Sequence, residues 1–390
     1  MAAIVLPLVN QRDIGRVAVD IATSVLRPAA DEVDRQARFP AEAFEALRSE
    51  RLLSALVPVN LGGGGASVVE IGAVIEALAQ ECASTAMIYA MHQIQVACLV
   101  RYRPPTLDSL LRLVAERELL LASATTEVGV GGDVRTSRCA VEATGNGRYR
   151  ISKEASVISY GQEADGILVT ARRNPNSPAS DQVVLVLRRG EYALEPRQTW
   201  ETLGFRGTCS HGFLLTATGA IDEIIDTPYA EVSAVTMLPM SHITWAHVWL
   251  GLAEGAISKA HAHVRTIARL TPGVPPPAAL RLAEAMAELH VFRSLVHGAA
   301  SDYDAALRFP DRLDTMAFAI RMNNLKLSSS TMVVDLVGRA LRICGLAGYR
   351  EDSPLSLGRA LRDAHGAALM VNNDRIFHST AQLLLVAKGV

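Results

Sequence analysis

The sequence predicts an α+β protein with its helices and strands segregated: an N-terminal helical domain, a middle small β-barrel or sandwich domain, and a C-terminal four-helix bundle. Three observations predict it. Helical periodicity runs from the start to about residue 118, short β-branched or alternating runs fill 119–230, and long helical stretches rich in small residues occupy 231–390. At 390 residues the chain is too long for one ordinary core, so these blocks (1–118, 119–230 and 231–390) are read as separate domains. Strands do not alternate with helices, which excludes a doubly wound sheet and with it an independent nicotinamide domain.

In the first block, "FPAEAFEALRSERLL" puts Pro40 at a helix start and Phe44, Leu47 and Leu53 on one face. Ser67 is a candidate N-cap, and Glu70 three residues later closes a capping box ahead of Ile71, Val74, Ile75 and Leu78. Between them the run Gly62 to Gly65 invites a phosphate-loop reading. No strand precedes it and no Gly-Lys-Ser/Thr follows, so it reads as a turn.

The β block carries "YRISKEASVISYG", "GILVTARR", "QVVLVLRRG" and "GFLLTATGAI" as strands, with the turn-forming stretch 172–182 joining two of them as a hairpin. In the last block, Gly251, Ala253, Gly255, Ala256 and Ala260 give one helix the small side chains of close packing. "TPGVPPP" breaks that helix, and helical stretches near 278–307, 312–344 and 355–388 follow.

Composition narrows the function. Apolar residues make up 49% and charged residues 20%, with a formal net charge of -2, so neither disorder nor affinity for nucleic-acid phosphate is indicated; small molecules and proteins are the expected partners. Cys82, Cys98, Cys139, Cys209 and Cys344 are scattered and never paired closely, so no metal site or disulfide framework is expected and a reducing compartment fits. The N-terminal stretch lacks the basic region of a signal peptide, and no apolar run reads as the roughly 20 residues that span a bilayer. The expected location is cytoplasmic, with no membrane span.

The stretch most suited to chemistry is "LLASATTEVGVGGDVRTS", Leu120 to Ser137. A strand runs into Thr125, Thr126 and Glu127, then into a loop with Gly129, Gly131 and Gly132. Glycines let backbone amides approach a ligand, and threonine hydroxyls can donate to ring carbonyls or nitrogens, which suits a flat heterocycle. The same loop also reads as a plain turn between strands.

This stretch resembles the Thr-Glu-Pro-Gly-x-Gly-Ser-Asp loop of the acyl-CoA dehydrogenase family, with Thr126, Glu127, Gly129, Gly131, Gly132 and Asp133 in its places. Further matches follow in the family's order. "YRISKEASVISYGQEADGILVTAR" is similar to its strand pair around Trp-Ile-Thr-Asn-Gly, "LGFRGTCS" to its Gly-x-Arg-x-Ser/Thr segment, and "GRALRDA" to its late Arg-Asp-Ala helix. The resemblance covers essentially the whole chain. It implies FAD held between the β domain and the C-terminal bundle, in a homotetramer built as a pair of dimers or a homodimer, with an electron-acceptor flavoprotein or reductase as partner. By position, Thr126, Gly131, Gly132 and Ser159 would face the flavin, Ser159 keeping the hydroxyl of the family's threonine. Arg269 stands where an Arg-x-x-Phe-Gly segment reaches the cofactor across the dimer, though Pro272 replaces the phenylalanine; it also reads as a cation favoured at a helix C-terminus. Arg342 and Gly345 fall in the family's Gln-x-x-Gly-Gly, Gly345 matching and Arg342 departing.

An enzyme of this family needs a carboxylate to take the α-proton of a thioester while the β-hydride leaves from the opposite face. Counted from "RDA", the family's glutamate falls on Val371, with Asn372 and Asn373 in the Gly-Thr places. The other place a family base can occupy holds Trp245, with His242 nearby. Three readings stay open. Asp374 serves as base and the protein dehydrogenates an acyl thioester of CoA or a carrier protein; or the protein is a flavin-dependent monooxygenase of the same fold, with His365 of "RDAH" at work; or it is a silent homologue that binds an acyl group or a partner. Asp374 beside Arg375 also reads as a solvated ion pair, His365 as a surface residue, His242 as a cap, and Asn372 and Asn373 as a helix stop. Glu254, amid "GLAEGA", must be exposed or paired.

Overall fold

The computed structural model describes residues 13–131, 133–270 and 272–387. The N-terminal part is helical: α1 (Ile14–Ile21) passes through a π-turn into α2 (Arg27–Gln36), followed by α3 (Ala41–Ser49), α4 (Val68–Glu81), α5 (Ala83–Tyr102) and α6 (Asp108–Arg117). Local signals place these ends. Ser67 accepts from the Glu70 amide at 3.2 Å while Glu70 accepts from the Ser67 amide at 2.8 Å, completing the expected capping box of α4. Pro40 precedes α3, and Phe44 and Leu47 are buried on it; Leu53 is buried too, but lies beyond the helix in the following turn. The glycine run folds back on Ala55 and Val57 so closely that a Cβ on Gly63 would fall 2.2 Å from the Val57 carbonyl oxygen. It is a packing turn.

One helix departs from expectation. α5 spans 20 residues and is long and apolar enough to cross a membrane by length and composition, contrary to the reading of the sequence. It is buried in the protein on nearly every side, from Ala83 through Leu99, as a core helix would be.

The middle part holds two sheets. β1 (Leu121–Ala124), β4 (Gly166–Arg172) and β5 (Gln182–Arg188) form a three-stranded sheet in the order β1-β4-β5, with β1 parallel to β4 and β4 antiparallel to β5. β2 (Glu142–Gly145), β3 (Arg148–Ile158), β7 (His211–Ala220) and β6 (Tyr192–Gln198) form an antiparallel sheet in the order β2-β3-β7-β6. β4 and β5 are buried on both faces and read as continuous apolar runs, whereas β3 alternates exposed and buried positions. β2 and β6 had no sequence signal because they are edge strands with exposed polar residues, and β6 carries Pro196.

The C-terminal part begins at α7 (Tyr229–Val232) and is dominated by α8 (Leu238–Leu270), α9 (Ala278–Ala306) and α10 (Met316–Cys344), with α11 (Leu346–Tyr349), α12 (Gly358–Gly366) and α13 (Asn373–Val386) after them. α8 packs against α4, α5, α9 and α10. Its small residues permit this, since a Cβ on Gly251 or Gly255 would fall 2.5 or 2.4 Å from the carbonyl oxygens of Glu76 and Gln80 on α4. Glu254 is paired: Arg293 of α9 donates to it at 2.6 and 3.0 Å and Gln80 at 3.0 Å. His242, read as a possible cap, lies inside α8 with Nδ1 3.0 Å from the Met322 carbonyl oxygen, and burial pushes its pKa down to about 4.

The stretch read as one helix over 355–388 is two. α12 ends at Gly366 and a turn over 367–372 leads on; within it Val371 has a left-handed φ of +47°, and Asn372 caps α13 by accepting from the Asp374 amide at 2.7 Å. A β-branched residue in a conformation it disfavours thus shapes the connection, with the asparagine acting as the next start.

Candidate active site

β1 ends at Ala124, and Thr126 follows in a segment laid against the end of β3. The Thr126 hydroxyl donates to the Val157 carbonyl at 3.2 Å and accepts from the Val157 amide at 3.4 Å. This fixes Thr126 beside Ser159, whose hydroxyl is 2.7 Å from that of Ser210; Ser210 is in turn 2.8 Å from the Thr208 hydroxyl, which donates to the Phe205 carbonyl at 2.8 Å. The result is a half-buried chain of hydroxyls at one end of the two sheets. Ser210 and Thr208 lie in the "LGFRGTCS" segment, and only the folded chain brings them to Ser159.

Glu127 anchors this end from below. It is buried, accepts from the Ser137 hydroxyl at 2.7 Å and from the Arg138 and Cys139 amides at 3.1 and 2.8 Å, and lies 3.7 Å from the fully buried Lys153 ammonium. Lys153 also donates to Thr170 carbonyl and hydroxyl oxygens at 2.7 and 3.1 Å. A buried charge pair with its remaining valences satisfied rigidifies the root of the loop. The loop itself turns through Gly129 and Gly131, both at positive φ (+85° and +59°). Gly132 lies outside the described residues.

From the C-terminal part, the first turn of α13 closes on this loop. The Arg375 guanidinium donates to the Gly131 carbonyl and acts on Asp133, whose pKa is lowered: burial opposes this, but Arg135 and then Arg375 outweigh it. Arg375 is thus engaged with the glycine loop. Asp374, exposed beside it, has no side-chain partner among the described residues, so the solvated Asp374–Arg375 pair is not formed.

Behind the turn stands Lys326 of α10, fully buried. Its ammonium donates to the Val371 carbonyl at 2.9 Å and to Asn373 Oδ1 at 2.5 Å, and lies 6.0 Å from the centre of the Trp249 ring. Burial lowers its pKa to about 8. Asn373 is also held by Ser330, at 3.1 Å from its amide. Ser330 lines a groove of about 530 Å³ between α10 and α12, together with His365, Arg342, Thr331 and Ala368. The exposed His365 and Arg342 thus share one groove next to the Val371 turn. Gly345, at φ +59°, ends α10. Arg269 is exposed in the last turn of α8, and among the described residues no contact brings it to the groove.

The two late motifs meet directly. Asp363 of α12 accepts from the Phe205 amide at 2.6 Å, Arg362 donates to the Leu203 carbonyl at 3.2 Å and to Asp34 at 3.0 and 2.5 Å, and a Cβ on Gly204 would fall 2.4 Å from the Arg362 carbonyl oxygen. Burial pushes Asp363 up to about 6, against the pull of Arg359 and the Phe205 amide. These residues brace α12 rather than face the groove.

Lys326 and Arg375 were not singled out in the sequence as site residues. A single lysine amid "MNNLKLSSSTMVV" on an otherwise apolar face was the available signal for Lys326.

The residue types suit a flavin ring: Thr126 and Ser159 carry hydroxyls of the kind that pair with ring carbonyls and nitrogens, engaged here with Val157 and Ser210, beside a glycine loop whose Gly131 carbonyl is held by Arg375.

Comparison with known proteins gives the family and the fold. The acyl-CoA dehydrogenase N-terminal domain matches residues 10–107 and the acyl-CoA dehydrogenase C-terminal domain matches residues 232–370, together more than half of the chain. The chain is 25% identical over 368 residues to cyclohex-1-ene-1-carbonyl-CoA dehydrogenase of Syntrophus aciditrophicus (strain SB), covering 92% of this chain and 85% of that protein. Among solved structures, butyryl-CoA dehydrogenase from Megasphaera elsdenii superposes with a TM-score of 0.83 at 21% identity, covering 96% of this chain and 98% of that one. FMN-bound TdsC from Paenibacillus sp. A11-2 gives 0.84 at 21% identity, with 96% and 97% coverage; both structures are similar in fold. With the matched domains flanking a middle β region on either side, the chain belongs to the acyl-CoA dehydrogenase family of flavin oxidoreductases.

Proposed function

We propose that the protein dehydrogenates the Cα–Cβ bond of an acyl thioester, carried on CoA or a carrier protein, in a site between the 126–131 loop and the 371–375 turn. The observation that carries this reading is the contact of Arg375 with the Gly131 carbonyl, which joins the turn where the family's base stands to the loop that would hold the flavin. Thr126, Gly131 and Ser159 would hold the ring. Arg342, Gly345 and Arg269, exposed and apart from the hydroxyl chain, are assigned to cofactor contacts across a homodimer or homotetramer. Bound there, FAD would supply the two-electron acceptor for the Cβ hydride, with an acceptor flavoprotein or a reductase as redox partner.

The chain's own residues would do the rest. Asp374, exposed and without a side-chain partner among the described residues at the first turn of α13, takes the Cα proton. Lys326 holds the Val371 carbonyl and Asn373, so the turn bearing Asp374 has a fixed shape. Arg375, anchored on the loop, ties that turn to the flavin side. Residues 1–118, 119–230 and 231–390 would then be the functional domains, in a cytoplasmic protein.

A second reading, oxygenation by reduced flavin, is favoured by one observation: valine occupies the place of the family's glutamate, while His365 lines the open groove beside it. Anaerobic titration of the FAD-loaded protein with a panel of acyl-CoA and carrier-bound thioesters separates the readings. Bleaching by a thioester supports dehydrogenation. A flavin that ignores every thioester but consumes oxygen with a separate reductase supports oxygenation, and a colourless protein that takes up no added flavin supports a silent binding role.

A further inference from the structure

Away from the candidate active site, three helices each direct one metal-ligating side chain at a single point. Glu76 of α4 accepts at its Oε1 from His247 Nδ1 of α8 at 2.5 Å and from His297 Nε2 of α9 at 2.8 Å. The three ligand atoms lie within 4.8 Å of one another, and the two rings stack with centroids 5.8 Å apart. His247 is almost fully buried and Glu76 nearly so, while the His297 side chain is half exposed.

Two further features set this cluster apart from an ordinary buried hydrogen bond. The other ring nitrogen of His247, Nε2, is buried without any partner, although a buried imidazole ordinarily finds one for each nitrogen. The backbone of α4 is also cut away for the ring: a Cβ on Gly72, one turn before Glu76, would fall 2.4 Å from His247 Cε1. Nearby, Glu254 neutralises Arg293 at 2.6 Å, so the neighbouring cation does not oppose a second positive charge.

We propose that Glu76, His247 and His297 form a binding site for a borderline divalent cation of the zinc class, with water in the fourth position on the solvent side of His297. Two imidazoles and a carboxylate are a ligand set that zinc accepts. Bonds of about 2.1 Å in a tetrahedron separate the donor atoms by roughly 3.3 Å. The two Glu76 separations need widen by less than about 1 Å, while the two imidazole nitrogens, within 4.8 Å of each other, adjust to the same spacing. The metal takes the place of the N–H that each histidine now turns to Glu76, and each neutral ring keeps its single proton on its other nitrogen, Nε2 of His247, in the notch left by Gly72, and Nδ1 of His297. The site would staple α4 of the N-terminal part to α8 and α9 of the C-terminal bundle, independently of the flavin chemistry.

The test uses tag-free, FAD-loaded full-length protein stripped with EDTA. Zinc chloride is titrated by calorimetry, cobalt(II) is followed by its visible absorption, and thermal unfolding is recorded with and without zinc. The site predicts saturable binding of one zinc per chain, the intense visible bands of tetrahedral cobalt, and a zinc-dependent rise in Tm. His297→Ala, on the exposed side, and Glu76→Gln should each weaken binding about a hundredfold or more, since loss even of an outer partner costs ten- to a hundredfold. The exposed His378→Ala on α13 should leave it unchanged, and circular dichroism of the metal-free variants verifies that each is folded. No saturable binding by the parent protein, or equal zinc affinity in the parent and His297→Ala, overturns the proposal.

Discussion

The Lys326 ammonium, buried in α10, donates to the Val371 carbonyl at 2.9 Å, across 45 positions of sequence. Val371 at that point is held at φ +47°, and Asn373 two residues on meets the same ammonium at 2.5 Å. One buried cation thus fixes the turn that leads into α13, and no carboxylate shares it among the described residues.

Lys326→Met should uncouple that turn. The apolar stem is retained while the Val371 carbonyl and Asn373 lose their donor, so stability should fall by about 1–3 kcal/mol. Denaturant unfolding measures the loss. Flavin content should be little changed, because Thr126 and Ser159 stand just beyond the ends of β1 and β3, held by contacts that Lys326 does not make. Loss of flavin to the same degree as loss of stability would mean that Lys326 supports the whole interface rather than the turn.

Val371→Gly tests the strain itself. A β-branched residue in the left-handed region costs roughly 1–2 kcal/mol that glycine avoids, partly offset by glycine's greater freedom when unfolded. A net gain of about 0.5–1 kcal/mol in unfolding free energy is expected. A loss would show that the half-exposed valine side chain packs more usefully than its backbone is strained.

Ser159→Ala, which removes one end of the hydroxyl chain through Ser210 to Thr208, should weaken FAD binding about five- to tenfold, the worth of one hydrogen bond. Fluorescence titration of the apoprotein reads this directly. An unchanged affinity would place the ring elsewhere than between Thr126 and Ser159.

Asp363 gives a pH dependence of known sign. Burial raises its carboxyl to about 6 in the folded protein, above its unfolded value, so its stabilising contribution is complete at acid pH and is lost as the pH rises through about 6. Asp363→Asn keeps an acceptor for the Phe205 amide and cannot ionise. Between pH 4.5 and 7 the variant's Tm should therefore gain on that of the parent, and parallel Tm curves would show that Asp363 does not titrate there.

Much of the fold was legible because it follows local rules. The Ser67–Glu70 capping box, the doubly buried runs of β4 and β5, and the small residues of α8 were each written in a few adjacent letters. The site was legible only in part. Thr126 and Ser159 could be placed by motif, and the structure sets them side by side through Val157. Arg375 looked like the partner of Asp374, yet its guanidinium goes to a carbonyl 244 positions away, which frees the carboxylate. Lys326 gave no motif at all, since a lysine on an apolar helix face acquires meaning only when the chain end folds over it. The edge strands β2 and β6 were missed for a related reason: with little to bury, they carry no alternation to read.

The central claim is that Asp374 takes the α-proton of an acyl thioester in a site built from the glycine loop and the Val371 turn. It is tested most directly by anaerobic stopped-flow reduction of the FAD-loaded protein, parent against Asp374→Asn, with the thioester that bleaches the parent fastest. The account predicts that the parent flavin bleaches and that the variant, folded and with its flavin retained, bleaches at least about a hundredfold more slowly, as loss of a general base requires. Equal rates in parent and variant would contradict it.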